Sequence, residues 1–169
     1  AAVRFPRGSG EGVPMDEEIE PLPIGKAELV REGEDVALIA LGPMVGLSME
    51  SAEQLAELRI QAAVLNLRFV KPLEGDIVAD LARRCGRIVT IEEGTRMGGM
   101  GSAILEFLAE RGITGVPVTR LGFPDRFIEH GSPQHQREDA GLTPGDITQA
   151  ARDLIEGRTK EASSVSEHA

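Results

Sequence analysis

Short apolar runs alternate with longer amphipathic stretches along most of the chain. The clearest run, Val36–Leu41, is closed by Gly42. Comparable strand-like runs follow at 63–67, 87–91 and 116–121. Such runs are typical of strands that are buried on both faces, as in parallel sheets covered by helices. We therefore predict four central strands, and a weaker first strand over 24–30 that runs antiparallel at an edge.

Between these runs, apolar residues recur at helical spacing. The pattern predicts helices over 45–58, 76–85 and 102–111. Two further helices are expected after Ser132-Pro133 and Thr143-Pro144, because a hydroxyl residue followed by proline is typical of a helix start. Strands and helices that alternate in this way favour right-handed crossovers. The predicted fold is an α/β domain of three layers, with about five strands in a mainly parallel sheet that has one antiparallel edge strand.

The two ends of the chain lack this alternation. Residues 1–22 are rich in proline, glycine and acids, which indicates an interdomain linker and the end of a preceding domain. Residues 158–169 are small, polar and aperiodic, so we expect a disordered tail. The predicted domain therefore covers 23–157. Since the chain begins at Ala1 without a methionine, we also expect it to be a fragment.

The amino-acid composition limits the kinds of molecule that the protein is expected to bind. The chain has 169 residues, of which 41% are hydrophobic and 3% aromatic, so Val, Ile, Leu and Ala must build the core. Its formal net charge of -10 argues against binding to nucleic acid or to anionic membranes. The single cysteine, Cys85, excludes an internal disulfide and fits a reducing cytosol. We expect Cys85 to be a buried structural thiol.

The glycine-rich turn Gly98–Ser102 lies between a predicted strand and a predicted helix. Exposed N–H groups in such a turn can bind an anion. No Lys-Ser or Lys-Thr follows the glycines, however, so the turn is not a Walker loop. We favour the interpretation that the glycines let the helix approach the sheet closely.

Several ionisable residues are weaker candidates for chemistry. Glu92 and Glu93 are adjacent on a strand and should point to opposite faces, so we expect one of them to brace the following loop. His130 and His135 lack the spacing of a metal site. Arg7 lies on a stiff Pro6-Arg7-Gly8 turn, which can present a guanidinium to a phosphate, although a surface arginine is the commoner outcome.

Five stretches in series carry a family resemblance. They are Ala2–Gly8, Leu22–Lys26, Arg68-Phe69-Val70-Lys71-Pro72-Leu73, Glu92-Glu93 with Met97–Ser102, and Leu121–Ile128 with His130-Gly131. Over about residues 1–156 the chain resembles the C-terminal domain of the 1-deoxy-D-xylulose-5-phosphate synthases, which is shared with transketolases. Phe5 departs from the tyrosine usual in that family, and Gly42-Pro43-Met44 departs from its Gly-Thr pair.

The resemblance implies a cytoplasmic, homodimeric transferase of three domains. Such an enzyme condenses pyruvate with D-glyceraldehyde 3-phosphate for isoprenoid, thiamine and pyridoxal biosynthesis. Thiamine diphosphate and Mg bind in the domains that precede this one, so no catalytic, cofactor or metal residue is carried over, and the fragment alone is expected to be inactive. Arg7 matches the family arginine that contacts the phosphate of glyceraldehyde 3-phosphate.

Three alternatives stay open. The chain could be the corresponding domain of a transketolase-like enzyme, or that of a 2-oxo acid dehydrogenase beta subunit. It could also be a free-standing interaction module of this fold, which binds a partner or effector. Substrate choice would separate the enzymes from one another, and the length of the open reading frame would separate them from the module.

Overall fold

A computed structural model describes Ala2, Gly12 and residues 20–158. It confirms the predicted class, since five strands alternate with helices in a three-layer α/β domain. The strands are β1 Glu28–Arg31, β2 Val36–Ala40, β3 Ala62–Asn66, β4 Ile88–Thr95 and β5 Val118–Phe123. The helices are α1 Met44–Glu57, α2 Gly75–Cys85, α3 Met100–Glu110, α4 Pro133–Asp139 and α5 Pro144–Ile155.

The five strands form one sheet in the order β1-β3-β2-β4-β5. Strands β2, β3, β4 and β5 pair in parallel, whereas β1 pairs antiparallel with β3 at the edge. The predicted antiparallel edge strand is therefore confirmed, although it begins at Glu28 and not at Ile24. The central strand β2 is wholly buried, as its uninterrupted apolar sequence predicted.

The side chains of alternate residues in the central strands pack into two separate cores, one on each face of the sheet. Ala37 and Ile39 face α2 and α3, together with Leu81 and Ile104. Leu38 lies in the opposite core, which is built from α1 and α5. Because strand side chains alternate with a period of two, both faces of the sheet need a covering layer of helices. No helix in the described part of the chain is long and apolar enough to cross a bilayer.

Two of the predicted helix starts are confirmed in atomic detail. The Ser132 side chain accepts a hydrogen bond from the backbone N–H of His135 at the start of α4. Thr143 and Asp146 form a reciprocal capping box at the start of α5. Such caps satisfy backbone N–H groups that have no partner inside the helix.

Two boundaries near the glycine turn were predicted wrongly. Strand β4 was expected to end at Ile91, but it continues to Thr95 because its last residues still pair with β5. Helix α3 begins at Met100 and not at Ser102, so Gly101 is helical. All ten elements fall within the predicted domain 23–157. Most of the predicted linker 1–22, and the predicted tail beyond residue 158, lie outside the described residues.

Candidate functional site

The carboxyl ends of the parallel strands form one edge of the sheet, and the glycine turn lies there. In open α/β sheets, ligands bind outside this edge. Strand β4 ends at Thr95 and helix α3 starts at Met100, so only four residues connect them. Two of the sequence-predicted candidates, Glu92 and the turn Gly98–Ser102, are therefore brought together.

Glu92 binds the first turn of α3 from inside the domain. Its carboxylate accepts hydrogen bonds from the backbone N–H groups of Met100, at 2.8 Å, and Gly101, at 2.9 Å. Glu92 is only 4% exposed. A carboxylate at a helix N-terminus is stabilised by the unpaired N–H groups and by the helix dipole. The prediction that one of the two glutamates braces the loop is thus confirmed.

This contact also decides between the two interpretations of the glycine turn. The N–H groups that could have held an external anion already donate to Glu92. A Cβ atom on Gly101 would lie 2.5 Å from Thr90 Oγ1, and one on Gly99 would collide with the carbonyl oxygen of Thr95. Gly99 and Gly101 therefore serve close approach of helix and sheet, as favoured from the sequence, whereas Gly98 has open space around it and adopts a φ of 73°.

Arg120 completes the turn and was missed by the sequence analysis. Its Nη1 atom donates to the carbonyl oxygen of Arg96, at 2.8 Å, and to Ser102 Oγ, at 2.9 Å. Its side-chain carbons would lie 3.0 Å from a Cβ atom on Gly101. The available signal was a single charged residue inside the strand run 116–121. A half-buried arginine in a strand needs several acceptors, and backbone carbonyls at a turn provide them.

Glu93 points to the opposite face of the sheet. Its Oε1 atom lies 2.9 Å from Nη1 of Arg137 on α4. Both side chains are about one-quarter to one-third exposed, at 24% for Arg137 and 32% for Glu93. Helix α4 has no buried residue of its own. This ion pair is therefore one of the few contacts that fix α4 to the carboxyl edge.

Arg68 adopts an unusual conformation at the same edge. It lies two residues after the end of β3 and has a φ of 55°, in the left-handed region that non-glycine residues rarely occupy. Its Nη2 atom forms an ion pair of 2.6 Å with Glu28 on β1. The sequence offered no local sign of this conformation. Strained residues persist only where the surrounding structure holds them, and they cluster near functional sites.

The remaining candidates lie apart from the turn. His135 is exposed and lies on α4, 3.6 Å from Asp139. Within the described residues, no group of three or more His, Cys, Asp or Glu side chains is close enough to hold a metal ion. Cys85 is 3% exposed at the end of α2, and its Sγ atom lies 3.5 Å from the carbonyl oxygen of Gly33. Arg7 lies outside the described residues.

The family model of the transketolase C-terminal domain matches residues 25–147. The chain therefore belongs to the transketolase C-terminal domain family. The resemblance noted from the sequence is confirmed.

Two curated relatives show which members of that family the chain is similar to. It is 48% identical to the 1-deoxy-D-xylulose-5-phosphate synthase of Heliobacterium modesticaldum over 96% of its own length and 25% of the relative. It is 54% identical to the synthase of the same name from Thermosynechococcus vestitus, over 85% of the chain and 22% of the relative. The chain thus spans about a quarter of the length of the first of these curated relatives.

A solved structure is also similar. It is described as a split gene transketolase, inactive beta4 tetramer, and it shares 33% sequence identity with this chain at a TM-score of 0.75. The match covers 82% of the chain and 45% of the solved structure. The chain therefore has the same architecture as part of a structure that is described as a transketolase.

Proposed function

We propose that this chain is the C-terminal domain of a 1-deoxy-D-xylulose-5-phosphate synthase. The whole enzyme would condense pyruvate with D-glyceraldehyde 3-phosphate, with loss of CO2. The observation that carries this proposal is the identity of 48% over 96% of the chain with a synthase of that name. Relatives of the same name from several other bacteria support it at 46% to 54% identity.

Thiamine diphosphate and Mg would bind in the part of the enzyme that precedes this domain. When bound, the cofactor supplies the carbanion stabilisation that decarboxylation requires. One feature of the described residues supports this placement, because the N–H groups at the start of α3 already bind Glu92 and so offer no diphosphate site. We further propose a cytoplasmic homodimer.

Arg7 is the one substrate-binding residue that we propose for this chain. It would contact the phosphate of glyceraldehyde 3-phosphate, and the support is the sequence Pro6-Arg7-Gly8, which predicts a stiff turn and matches the family motif. A charge-assisted contact of this kind is worth about 2–3 kcal/mol. We therefore expect Arg7→Ala in the full-length enzyme to raise KM for glyceraldehyde 3-phosphate by about 30- to 150-fold. An unchanged KM for that substrate would contradict the assignment.

The first experiment is calorimetry of thiamine diphosphate binding. It compares the 169-residue chain with the longest polypeptide that its gene encodes. We expect only the longer polypeptide to bind the cofactor, and to decarboxylate pyruvate when glyceraldehyde 3-phosphate is added. Binding by the 169-residue chain alone would overturn the proposed division between domains.

A transketolase is the second candidate, because the solved structure at 33% identity carries that description. A transketolase would use ketose phosphates as donors and would release no CO2. Turnover of a ketose phosphate without pyruvate decarboxylation would therefore favour it over the synthase. If neither polypeptide binds the cofactor, an interaction module of this fold becomes the better interpretation.

A further inference from the structure

The backbone around Met97 is tightly held. The carbonyl oxygen of Arg96 accepts hydrogen bonds from Arg120, at 2.8 Å, and from Ser102 Oγ, at 3.3 Å. The carbonyl oxygen of Met97 accepts one from Thr95 Oγ1, at 3.2 Å. The next N–H group, that of Gly98, donates to Ser102 Oγ at 3.1 Å. The Met97 backbone therefore has a fixed position although it lies in a loop.

The Met97 side chain itself faces outward. It is 71% exposed, whereas Met100, three residues later, is 2% exposed. Because the backbone is already fixed, a partner that covers this side chain has to order only its rotamers and not the loop, which lowers the cost of binding. The arrangement is that of a preformed contact point.

A second exposed apolar side chain lies at the same edge of the sheet. Phe127 is 101% exposed. It follows the end of β5, just as Met97 follows the end of β4, and these two strand ends are paired through Thr95 and Phe123. The exposed arginines Arg96 and Arg126 are the neighbours of Met97 and Phe127 in the sequence.

The composition of this surface is that of a protein interface. Aromatic residues, methionine and arginine are enriched at protein interfaces relative to the rest of the surface. Asp125 and Glu129 lie beside Phe127 in the sequence and are also exposed, so they supply a polar rim. We call Arg96, Met97, Arg126 and Phe127 the carboxyl-edge surface.

We propose that the carboxyl-edge surface docks against the preceding part of the same polypeptide in the full-length protein. This inference rests on the proposed function in one respect, namely that the chain is one domain of a longer enzyme. The curated relatives support that premise, because the chain covers only 25% of the length of the Heliobacterium synthase.

The size of the surface favours a partner within the same polypeptide over a second copy. Two exposed apolar side chains cover far less area than a stable interface between separate proteins, which buries about 800 Å² on each partner. A covalently linked domain is held at a high effective concentration, so a small contact suffices. The expected partner is an apolar depression that accepts Met97 and Phe127.

Methionine oxidation by hydrogen peroxide tests the proposal directly. We compare the 169-residue chain with the longest polypeptide that its gene encodes, and measure sulfoxide at Met97 by mass spectrometry. In the longer polypeptide we expect Met97 to be oxidised about tenfold more slowly, because docking would bury the sulfur. Met100, which is already 2% exposed, should be equally slow in both and serves as the internal reference.

A pair of matched variants of the longer polypeptide tests the contribution of Phe127. Phe127→Asp should return the oxidation rate of Met97 to within about twofold of its value in the 169-residue chain. Leu58→Asp is the control, since Leu58 is 50% exposed and follows α1, whose end lies at the opposite edge of the sheet. It should leave Met97 protected. In the 169-residue chain, neither variant should change the melting temperature much.

Three outcomes would overturn the proposal. Equal oxidation of Met97 in both polypeptides would show a free surface. Protection that disappears on dilution of the longer polypeptide would assign the surface to a second copy. Protection that survives Phe127→Asp would show that the carboxyl-edge surface does not carry the contact. Failure of the synthase assay with Met97 still protected would reject the proposed activity and leave the docking surface standing.

Discussion

The carboxylate of Glu92 and the backbone N–H of Met100 lie 2.8 Å apart, and this contact joins strand β4 to the first turn of α3. The other carboxylate oxygen accepts from Gly101. An internal side chain thus fills the position at a helix N-terminus where an external anion often binds. These hydrogen bonds hold the backbone of the turn in place, and its exposed side chains extend from that fixed backbone.

Removing the Glu92 carboxylate should destabilise the domain strongly. Glu92→Ala would leave two backbone N–H groups buried without an acceptor and would open a small cavity. Each lost charge-assisted bond costs about 1.5–3 kcal/mol, so we expect a loss of about 3 kcal/mol in the free energy of unfolding. For a domain of this size that is about 10 °C in melting temperature, measured by circular dichroism.

Glu93→Ala is the matched control for this prediction. Glu93 is the next residue, and it forms a partly exposed ion pair with Arg137. Pairs of this kind contribute about 0–1 kcal/mol. Equal destabilisation by the two variants would contradict the bracing role of Glu92.

Two glycines in the first turns of helices should respond oppositely to alanine. Gly101 in α3 has no room for a Cβ, which would lie 2.5 Å from Thr90 Oγ1 and 3.0 Å from Arg120. We expect Gly101→Ala to cost about 2 kcal/mol through overpacking. Gly46 in α1 has open space around it, so Gly46→Ala should stabilise by about 0.5 kcal/mol through helix propensity. Urea unfolding of both variants measures the difference, and a stabilising Gly101→Ala would refute the close-packing argument.

Arg59→Gly should stabilise the domain. Helix α1 ends in a Schellman motif, with hydrogen bonds from Arg59 N to Ala56 O, at 2.9 Å, and from Ile60 N to Leu55 O, at 3.0 Å. The motif requires a left-handed residue, and Arg59 adopts a φ of 62°. Glycine occupies this conformation without steric strain, so we expect a gain of about 1 kcal/mol, measured by urea unfolding.

The end of α3 provides the reciprocal control. Gly112 has a φ of 64° and occupies the same position as Arg59 in an equivalent motif, with Ile113 N donating to Leu108 O at 2.9 Å. Gly112→Ala should therefore lower stability by about 1 kcal/mol. If both substitutions act in the same direction, the left-handed conformation does not determine the effect.

Much of the fold could be predicted because local patterns and tertiary structure agree. The apolar run Val36–Leu41 can be buried on both faces only between two layers of helices, and β2 lies there. The caps Ser132 and Thr143 act through bonds to residues three positions away, so they are visible in the sequence. The opposite directions of Glu92 and Glu93 follow from strand geometry alone.

The missed features depend on residues that are distant in the sequence. Arg120 meets the carbonyl oxygen of Arg96 only because β4 and β5 are neighbours in the sheet. The left-handed conformation of Arg68 is held in part by Glu28, forty residues away. Strand β4 extends past Ile91 because its end pairs with β5, which outweighs the local turn signal of Gly94. No local propensity reports these contacts.

Cys85 should make stability depend on pH in the alkaline range. Burial raises the pKa of the Cys85 thiol in the folded state, with smaller effects from nearby charges that include Arg84 and Asp80. The unfolded thiol therefore loses its proton first, and the unfolded state binds fewer protons than the folded one. Stability from this group is fully present below the unfolded pKa, about 8.5, and is lost as the pH rises toward the folded pKa.

The measurement compares urea unfolding of the wild type and Cys85→Ala between pH 7 and pH 10. Groups other than the thiol titrate in both proteins, so the difference between the two curves isolates Cys85. We expect the advantage of the wild type to shrink above about pH 8.5, by at most about 1.4 kcal/mol per pH unit. A disulfide reagent such as dithionitrobenzoate should also react slowly at neutral pH, since Cys85 is 3% exposed. A difference that is constant with pH, together with rapid reaction, would show that the thiol is accessible and that the end of α2 opens readily.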